Sequence, residues 1–310
     1  MRILIGSNGG LTGVYLAKQF CKMKDVTVYG ADSSEMNVGH LFVKKQFFLP
    51  PASEKTFIEC LISLLNDNKI DIYLPTHSKE IKVISLNENF LRSKVITKFI
   101  VSPFQTFQDL DNKSIANKKL KEVGIPVPQL IDNYICQYPI IMKHDICSGS
   151  VGTKIIDNQR IHTAYKETYK DVSFYQKISG VEYTVDCMFD NRGTLIGFNQ
   201  RQRIKTIGGA VSITRNTNDF NILPWIEIIS KKWKFCGCVN FQYIVQNNIP
   251  YFIDINLRYP SGGLPLSVES GLNIPQLIID ILTNRQINKF LMPDNNKKLT
   301  MYRYFEEKRP

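Results

Sequence analysis

The segment Tyr251-Phe-Ile-Asp-Ile-Asn-Leu-Arg-Tyr259 sets an acid, an amide and an arginine at alternate positions of an otherwise apolar stretch. With the period of two of a strand, Tyr251, Ile253, Ile255 and Leu257 share one face, and Asp254, Asn256 and Arg258 share the other. Carboxylate and amide oxygens suit a hard metal ion, and an arginine beside them suits a phosphoryl group. Upstream, Gly237–Val245 reads as a second strand with Asn240 and Gln242 on one face, and Gln246–Pro250 reads as the turn between the two. A hairpin symmetric about Asn248 sets Gln242 opposite Asp254, about 5 Å apart at Cβ, near enough to share one ion. A slip of one residue would turn the whole set to the other face. A strand with a solvated outer face is the alternative.

Two further segments carry candidate chemistry. His144-Asp-Ile-Cys-Ser-Gly-Ser-Val-Gly-Thr153 joins the strand-like stretches Tyr138–Lys143 and Lys154–Ile156. Its glycines allow close approach to a phosphate, successive N–H groups can form a nest, and Lys143 at its base supplies a point charge. A loop that binds nothing is the alternative here. In Arg201-Gln-Arg-Ile-Lys-Thr-Ile-Gly-Gly209, Arg201, Arg203 and Lys205 form a basic segment able to read an anionic substrate, or else a solvated loop. The glycines of Gly6-Ser-Asn-Gly-Gly10 lack the G-x-G-x-x-G spacing, so they read as a structural turn.

The elements that must position these residues follow from pattern and punctuation. A strand at 2–6, a helix from Thr12 to Lys24 and a strand at Val26–Gly30 begin a βαβ unit. Helices near Lys55–Asn66 and Glu80–Asn89, with strands at Asp71–Leu74 and Phe99–Val101, extend it to about residue 105. Asp109–Lys113 leads into a helix ending at Glu122, before Gly124 and the Pro-rich Ile125–Pro128. Beyond Phe174, Glu182–Phe189, Leu195–Gln200 and the two strands of the hairpin predict an antiparallel sheet, with helices at Pro224–Trp233 and Pro275–Leu282.

Composition narrows the classes. With 310 residues, 43% hydrophobic and 22% charged, the chain suits two or three compact units. No run approaches the roughly 18 apolar residues of a membrane span, and the N-terminal apolar run is too short for a secretory signal, so a cytoplasmic protein without membrane partners is expected. Seven cysteines without a CxxC pair, and four scattered histidines, indicate neither a zinc site nor a disulfide frame. The net charge of +11 is dispersed and carries no nucleic-acid reading motif, so no nucleic-acid partner is expected, and an anionic small molecule or a lysine-rich genome explains the charge.

In chain order, Asp111-Asn-Lys113, Gly124-Ile-Pro-Val-Pro128, Pro139-Ile-Ile-Met-Lys143, Ser148-Gly-Ser-Val-Gly152, Gly180-Val-Glu-Tyr-Thr-Val-Asp186, Asn240-Phe-Gln242, Asp254-Ile-Asn-Leu-Arg258 and Gly271-Leu-Asn-Ile-Pro275 resemble the ATP-grasp superfamily. The resemblance spans nearly the whole chain and is nearest the ATP-binding halves of carbamoyl-phosphate synthase large subunits. It implies a mixed α/β and α+β protein: an N-terminal α/β (pre-ATP-grasp) domain over 1–105, a small lid subdomain over 106–174 and a large C-terminal subdomain over 175–310. By resemblance, Lys113 and Lys143 contact ATP phosphates under the loop of Ser148, Gly149, Ser150, Val151 and Gly152. Gln176, Lys177 and Ile178 meet adenine through the backbone, and Glu182 holds the ribose. Gln242, Asp254 and Asn256 bind Mg2+, with Mn2+ a substitute, and Arg258 stabilises the transferred phosphoryl group.

The implied reaction is an ATP-dependent carboxylate–amine or carboxylate–thiol ligation through an acylphosphate, releasing ADP and phosphate. Its partners are a small-molecule carboxylate and a nucleophilic acceptor, and family members are commonly homodimers. A non-catalytic ATP-binding or regulatory module of the same fold is the competing reading. Asp254 stands where the family usually has glutamate, Leu257 where proline is common, and His144 where proline often follows the lysine. Nothing resembles a glutamine-amidotransferase site or a second synthetase half.

Overall fold

The computed structural model describes residues 1–131, 137–146, 152–287, 289–292 and 298–308. It opens with β1 (Arg2–Gly6), α1 (Leu11–Phe20) and β2 (Thr27–Asp32). Next come β3 (Gln46–Phe48), α2 (Phe57–Asp67) and β4 (Ile72–Leu74). The four strands form a parallel sheet in the order β3-β2-β1-β4. β1 is apolar on both faces because both are covered: Leu4 packs with Phe57 and Leu61 of α2, whereas Ile3 and Ile5 pack with Leu16 and Phe20 of α1. β3 has no alternation to announce it and was not expected. The helix predicted near Glu80–Asn89 is two, α3 (Ser78–Leu86) and α4 (Glu88–Lys94), parted at Asn87, whose side chain turns back to the Val83 carbonyl. No strand forms at Phe99–Val101; only Lys98 bridges to Ile72.

α5 (Phe104–Leu110), which was not expected, precedes α6 (Lys113–Glu122). The Asn112 side chain accepts from the Ile115 N–H at 3.0 Å, which fixes Lys113 as the first residue of α6. β5 (Ile140–His144), β6 (Lys154–Ile156), α7 (Gln159–Thr168) and β7 (Val172–Gln176) follow. Their antiparallel sheet, ordered β6-β5-β7, has its own small core of Ile140, Met142, Ile156 and Phe174. β7 runs through the boundary expected at 174/175.

The largest sheet comprises β8 (Val181–Phe189), β9 (Leu195–Ile207), β10 (Ala210–Asn216), then after α8 (Leu223–Lys232), β11 (Gly237–Gln246) and β12 (Ile249–Asn256). α9 (Leu264–Glu269), α10 (Ile274–Leu282) and β13 (Thr300–Tyr302) complete the chain. The strand order is β12-β11-β8-β9-β10-β13, antiparallel throughout. β9 does not stop at Gln200, so the basic stretch after it is strand rather than loop; β10, α9 and β13 were not foreseen.

The β11–β12 hairpin reaches its expected register by an unexpected route. Its turn is Asn247–Asn248, with φ of 51° and 61°, and pairs Gln246 with Ile249. Such a turn alone would set Gln242 against Ile253. A bulge intervenes: Tyr243 pairs with Phe252 and Gln242 with Asp254, leaving Ile253 as the extra residue. The bulge also corrects the predicted apolar face. Phe252, Ile255 and Leu257 are buried, while Tyr251 and Ile253 fall out of that row.

Candidate active site

Antiparallel register gathers the polar side chains of four strands on one sheet face. Asn256, Asn240, Asp186 and Asn199 lie in one row across β12, β11, β8 and β9; Asp254, Gln242, Thr184 and Arg201 lie in the next. The intervening row, Ile255, Phe241 and Val185, faces the core. The expected pair of Gln242 with Asp254 therefore forms, and Asp254, Asn256 and Arg258 stand together.

These residues are joined by contacts rather than merely neighbouring. Asp254 lies 3.5 Å from the Lys113 ammonium and accepts from Asn256 Nδ2 at 3.1 Å. Asn256 Oδ1 in turn accepts from Arg258 Nη2 at 3.1 Å. Lys143 reaches the same place from β5, donating to the carbonyl of the bulge residue Ile253 at 3.3 Å. The bulge thus serves two ends, setting the Gln242–Asp254 pair and turning a carbonyl toward Lys143. Burial lowers the pKa of Arg258 despite the favourable fields of Asp254 and Asp186.

Asp186, for which the sequence offered no role, is the buried centre of this face. It accepts from Arg201 Nε at 3.0 Å, from Asn240 and from Ser267. Glycine is required at 263 because a Cβ there would stand 2.0 Å from Arg201 Nε. Arg203 pairs with Glu182 at 2.7 Å, and burial is the first cause of its lowered pKa, followed among the lowering effects by the charge of Arg201. A cavity of about 70 Å³ lies between Arg201, Arg203, Gln242, Asp254 and Arg258. Arg201 Nη1 is buried there without a hydrogen-bond partner among the described residues.

The remaining expected residues divide. Lys205 is exposed toward the far end of β9 and does not line this cavity. The Gln176 N–H is already bonded to the Gln129 carbonyl at 2.8 Å, so this donor is not available to a base. Lys177 is exposed and Ile178 buried beside it. Gly152 is described, with φ of 72°, whereas Ser148, Gly149, Ser150 and Val151 lie outside the described residues. No trio of His, Cys, Asp or Glu able to hold a metal occurs among the described residues, and Cys21, Cys60, Cys187, Cys236 and Cys238 are free thiols. No helix among the described residues is long and apolar enough to cross a membrane.

Residues 170–305, which include every strand of the polar face, match the family model described as ATP-grasp in the biosynthetic pathway with Ter operon. These residues carry the sequence pattern of an ATP-grasp family. Its fold is similar to that of N5-carboxyaminoimidazole synthetase from Staphylococcus aureus complexed with ADP, at 17% identity and TM-score 0.76, over 97% of this chain and 81% of that one. An L-amino acid ligase from Bacillus licheniformis matches at 13% identity and TM-score 0.71, over 94% and 77%. A biotin carboxylase–β,γ-ATP complex from Campylobacter jejuni matches at 16% identity and TM-score 0.66, over 95% and 72%. No curated protein sequence matches the chain. The ATP-grasp matches do not single out carbamoyl-phosphate synthases.

Proposed function

We propose that this protein is an ATP-dependent ligase that activates a small carboxylate as an acylphosphate and passes the acyl group to an amine or thiol acceptor, releasing ADP and phosphate. The observation that carries this reading is the continuous contact chain Lys113–Asp254–Asn256–Arg258, with Lys143 on the adjoining bulge. Phosphoryl transfer is mainly positioning and charge neutralisation, and these cations and oxygen donors serve both.

Gln242, Asp254 and Asn256 fit magnesium by donor type: one carboxylate and two amide oxygens from a single sheet face. With one carboxylate among them, they suit an ion that also takes oxygens from phosphates and water, and manganese fits the same donors. Bound there, such an ion neutralises phosphate charge. The chain's own groups do the rest. Lys113, at the start of α6, and Lys143, on β5 of the small sheet, hold the phosphate oxygens, so the small sheet closes as the nucleotide is gripped. Arg258, largely withdrawn from water, stabilises the phosphoryl group in transit. Arg201, held by Asp186, offers Nη1 to the carboxylate, with Arg203 beside it; both face the 70 Å³ cavity. Glu182, at the outer edge of this face, binds ribose hydroxyls with the oxygen that Arg203 leaves, and backbone groups of Lys177 and Ile178 meet adenine.

The test is phosphate release from ATP and Mg2+ across a panel of amino acids and other small carboxylates, with Asp254→Ala beside the wild type. A carboxylate-dependent rate that falls by about 100-fold or more in the variant is expected. Full activity in Asp254→Ala would overturn the metal assignment, and ATP binding with no ADP formed from any carboxylate would favour a regulatory module.

A further inference from the structure

A cavity of about 660 Å³ opens on the other side of Arg258. It lies at the carboxyl ends of β1, β2 and β4, where the strand order reverses about β1 with β2 on one side and β4 on the other, the usual ligand crevice of a parallel sheet. Its walls are the Gly9–Thr12 turn, Asp32 and Ser33 after β2, the Thr76–Glu80 entry to α3, and Arg258 with Ser261 from the large sheet. Leu49, Pro50 and Phe57 give it one apolar side. Arg258 is thus a shared wall, facing phosphoryl chemistry on one side and this cavity on the other.

Two helix N-termini border the cavity, but both are already turned onto carboxylates of the chain. Asp32 accepts from the Gly9 and Ser34 N–H groups, each at 3.0 Å. Glu80, fully buried, accepts from the Thr76 N–H at 3.2 Å, from Ser7 at 3.1 Å and from Tyr73, and it completes the capping box of α3 with His77. A second anion would meet these carboxylates. His77 lies within the fields of Arg258 and Asp32 together, and burial followed by Lys79 and Arg258 lowers its pKa, so the ring is neutral near pH 7. Its Nδ1 accepts from the Lys79 N–H at 3.3 Å, which puts the ring proton on Nε2 as a donor. Burial raises the Glu80 pKa to about 7, which leaves Asp32 as the acidic group here, with Lys79 and Arg258 on the basic side.

We propose that this cavity is the acceptor site and takes a small primary amine with an apolar body, its ammonium group paired with Asp32 and its path to the acyl group passing Arg258. The assignment rests on the ligase reading above and names the acceptor it left open. One proton of the ammonium passes by Asp32 to solvent, and the freed nitrogen lone pair forms the C–N bond. The acyl C–O bond breaks, its electron pair leaves on inorganic phosphate, and the second proton from nitrogen ends on that phosphate.

Hydroxylamine, small enough to need no site, separates the two halves of the reaction. It traps the acylphosphate as a hydroxamate, and the twenty amino acids and a series of primary alkylamines are then tested for diverting hydroxamate to amide. Asp32→Asn and Ser33→Trp, the latter an exposed wall residue whose enlargement fills the cavity, should each raise the KM for the diverting amine by about tenfold or more. An unchanged amine KM in both variants overturns the site, and hydroxamate that no amine diverts overturns the acceptor class. Absence of any hydroxamate from the wild type refutes the ligase reading, and this one with it.

Discussion

Replacing Arg201 by methionine separates what the buried ion pair contributes to folding from what it contributes to the site. The two side chains are 3% and 0% exposed, and Asp186 takes two of its hydrogen bonds from Arg201 Nε and Nη2, at 3.0 and 3.3 Å. Arg201→Met keeps much of the volume but leaves a wholly buried carboxylate with only Asn240 and Ser267. Stranding one member of a buried pair costs about 3–5 kcal/mol, and the two remaining donors place this case near the lower end. The unfolding equilibrium should shift by about two orders of magnitude. Asp186→Leu strands the guanidinium in the same way, whereas the double variant removes both charges and should recover about half or more of the summed loss. Urea unfolding of all four proteins near pH 7 gives the cycle. Additive losses, or a single-variant cost under about 1 kcal/mol, would refute the argument that Asp186 depends on Arg201. The double variant should fold yet remain inactive with carboxylates, since Arg201 Nη1 is gone from the cavity.

Three further outcomes follow from particular contacts. Gly263→Ala should destabilise by about 1–3 kcal/mol and raise the KM for the carboxylate, because its Cβ meets the fixed guanidinium at 2.0 Å; Gly262→Ala, whose nearest contact is 3.3 Å from Val211, should be milder in both assays. Burial holds the Glu80 pKa up at about 7, so the folded chain keeps a proton that the unfolded chain releases near 4.5. The contribution is full below about 4.5, declines as pH rises and is lost above about 7, a span worth about 3 kcal/mol. Glu80→Gln should therefore gain on the wild type in unfolding free energy between pH 5 and 8, and a constant difference would count against it. Asn248 holds φ of 61°, so Asn248→Val should cost about 1–2 kcal/mol in thermal unfolding while Asn248→Gly costs nothing measurable.

The sequence alone determined the order of the units and most of the residues that meet. Alternation gave the polar face of β12 from Asp254 onward, the Asp109–Lys113 lead-in and Gly124 bracketed α6, and the ordered motifs resembled those of the ATP-grasp superfamily. Each of these signals is local: a period, a cap, or a short spacing read within one element. The tertiary structure decided what depends on partners. The bulge at Ile253 has no mark in sequence, because an extra residue is visible only against the strand opposite, yet it sets the pairing of Gln242 with Asp254 and turns a carbonyl to Lys143. Asp186 became the centre of the face only when β8, β9, β11 and α9 brought Arg201, Asn240 and Ser267 onto one carboxylate. The basic stretch Arg201–Lys205 divided for the same reason, since cross-strand register drew Arg201 and Arg203 into the cavity and left Lys205 outside. Asp32 and His77, far apart in the chain, reached Arg258 only through the packing of the parallel sheet against the antiparallel one. Side-chain type is written along the chain, but which charges must share a dry space is set by the sheets that close around them.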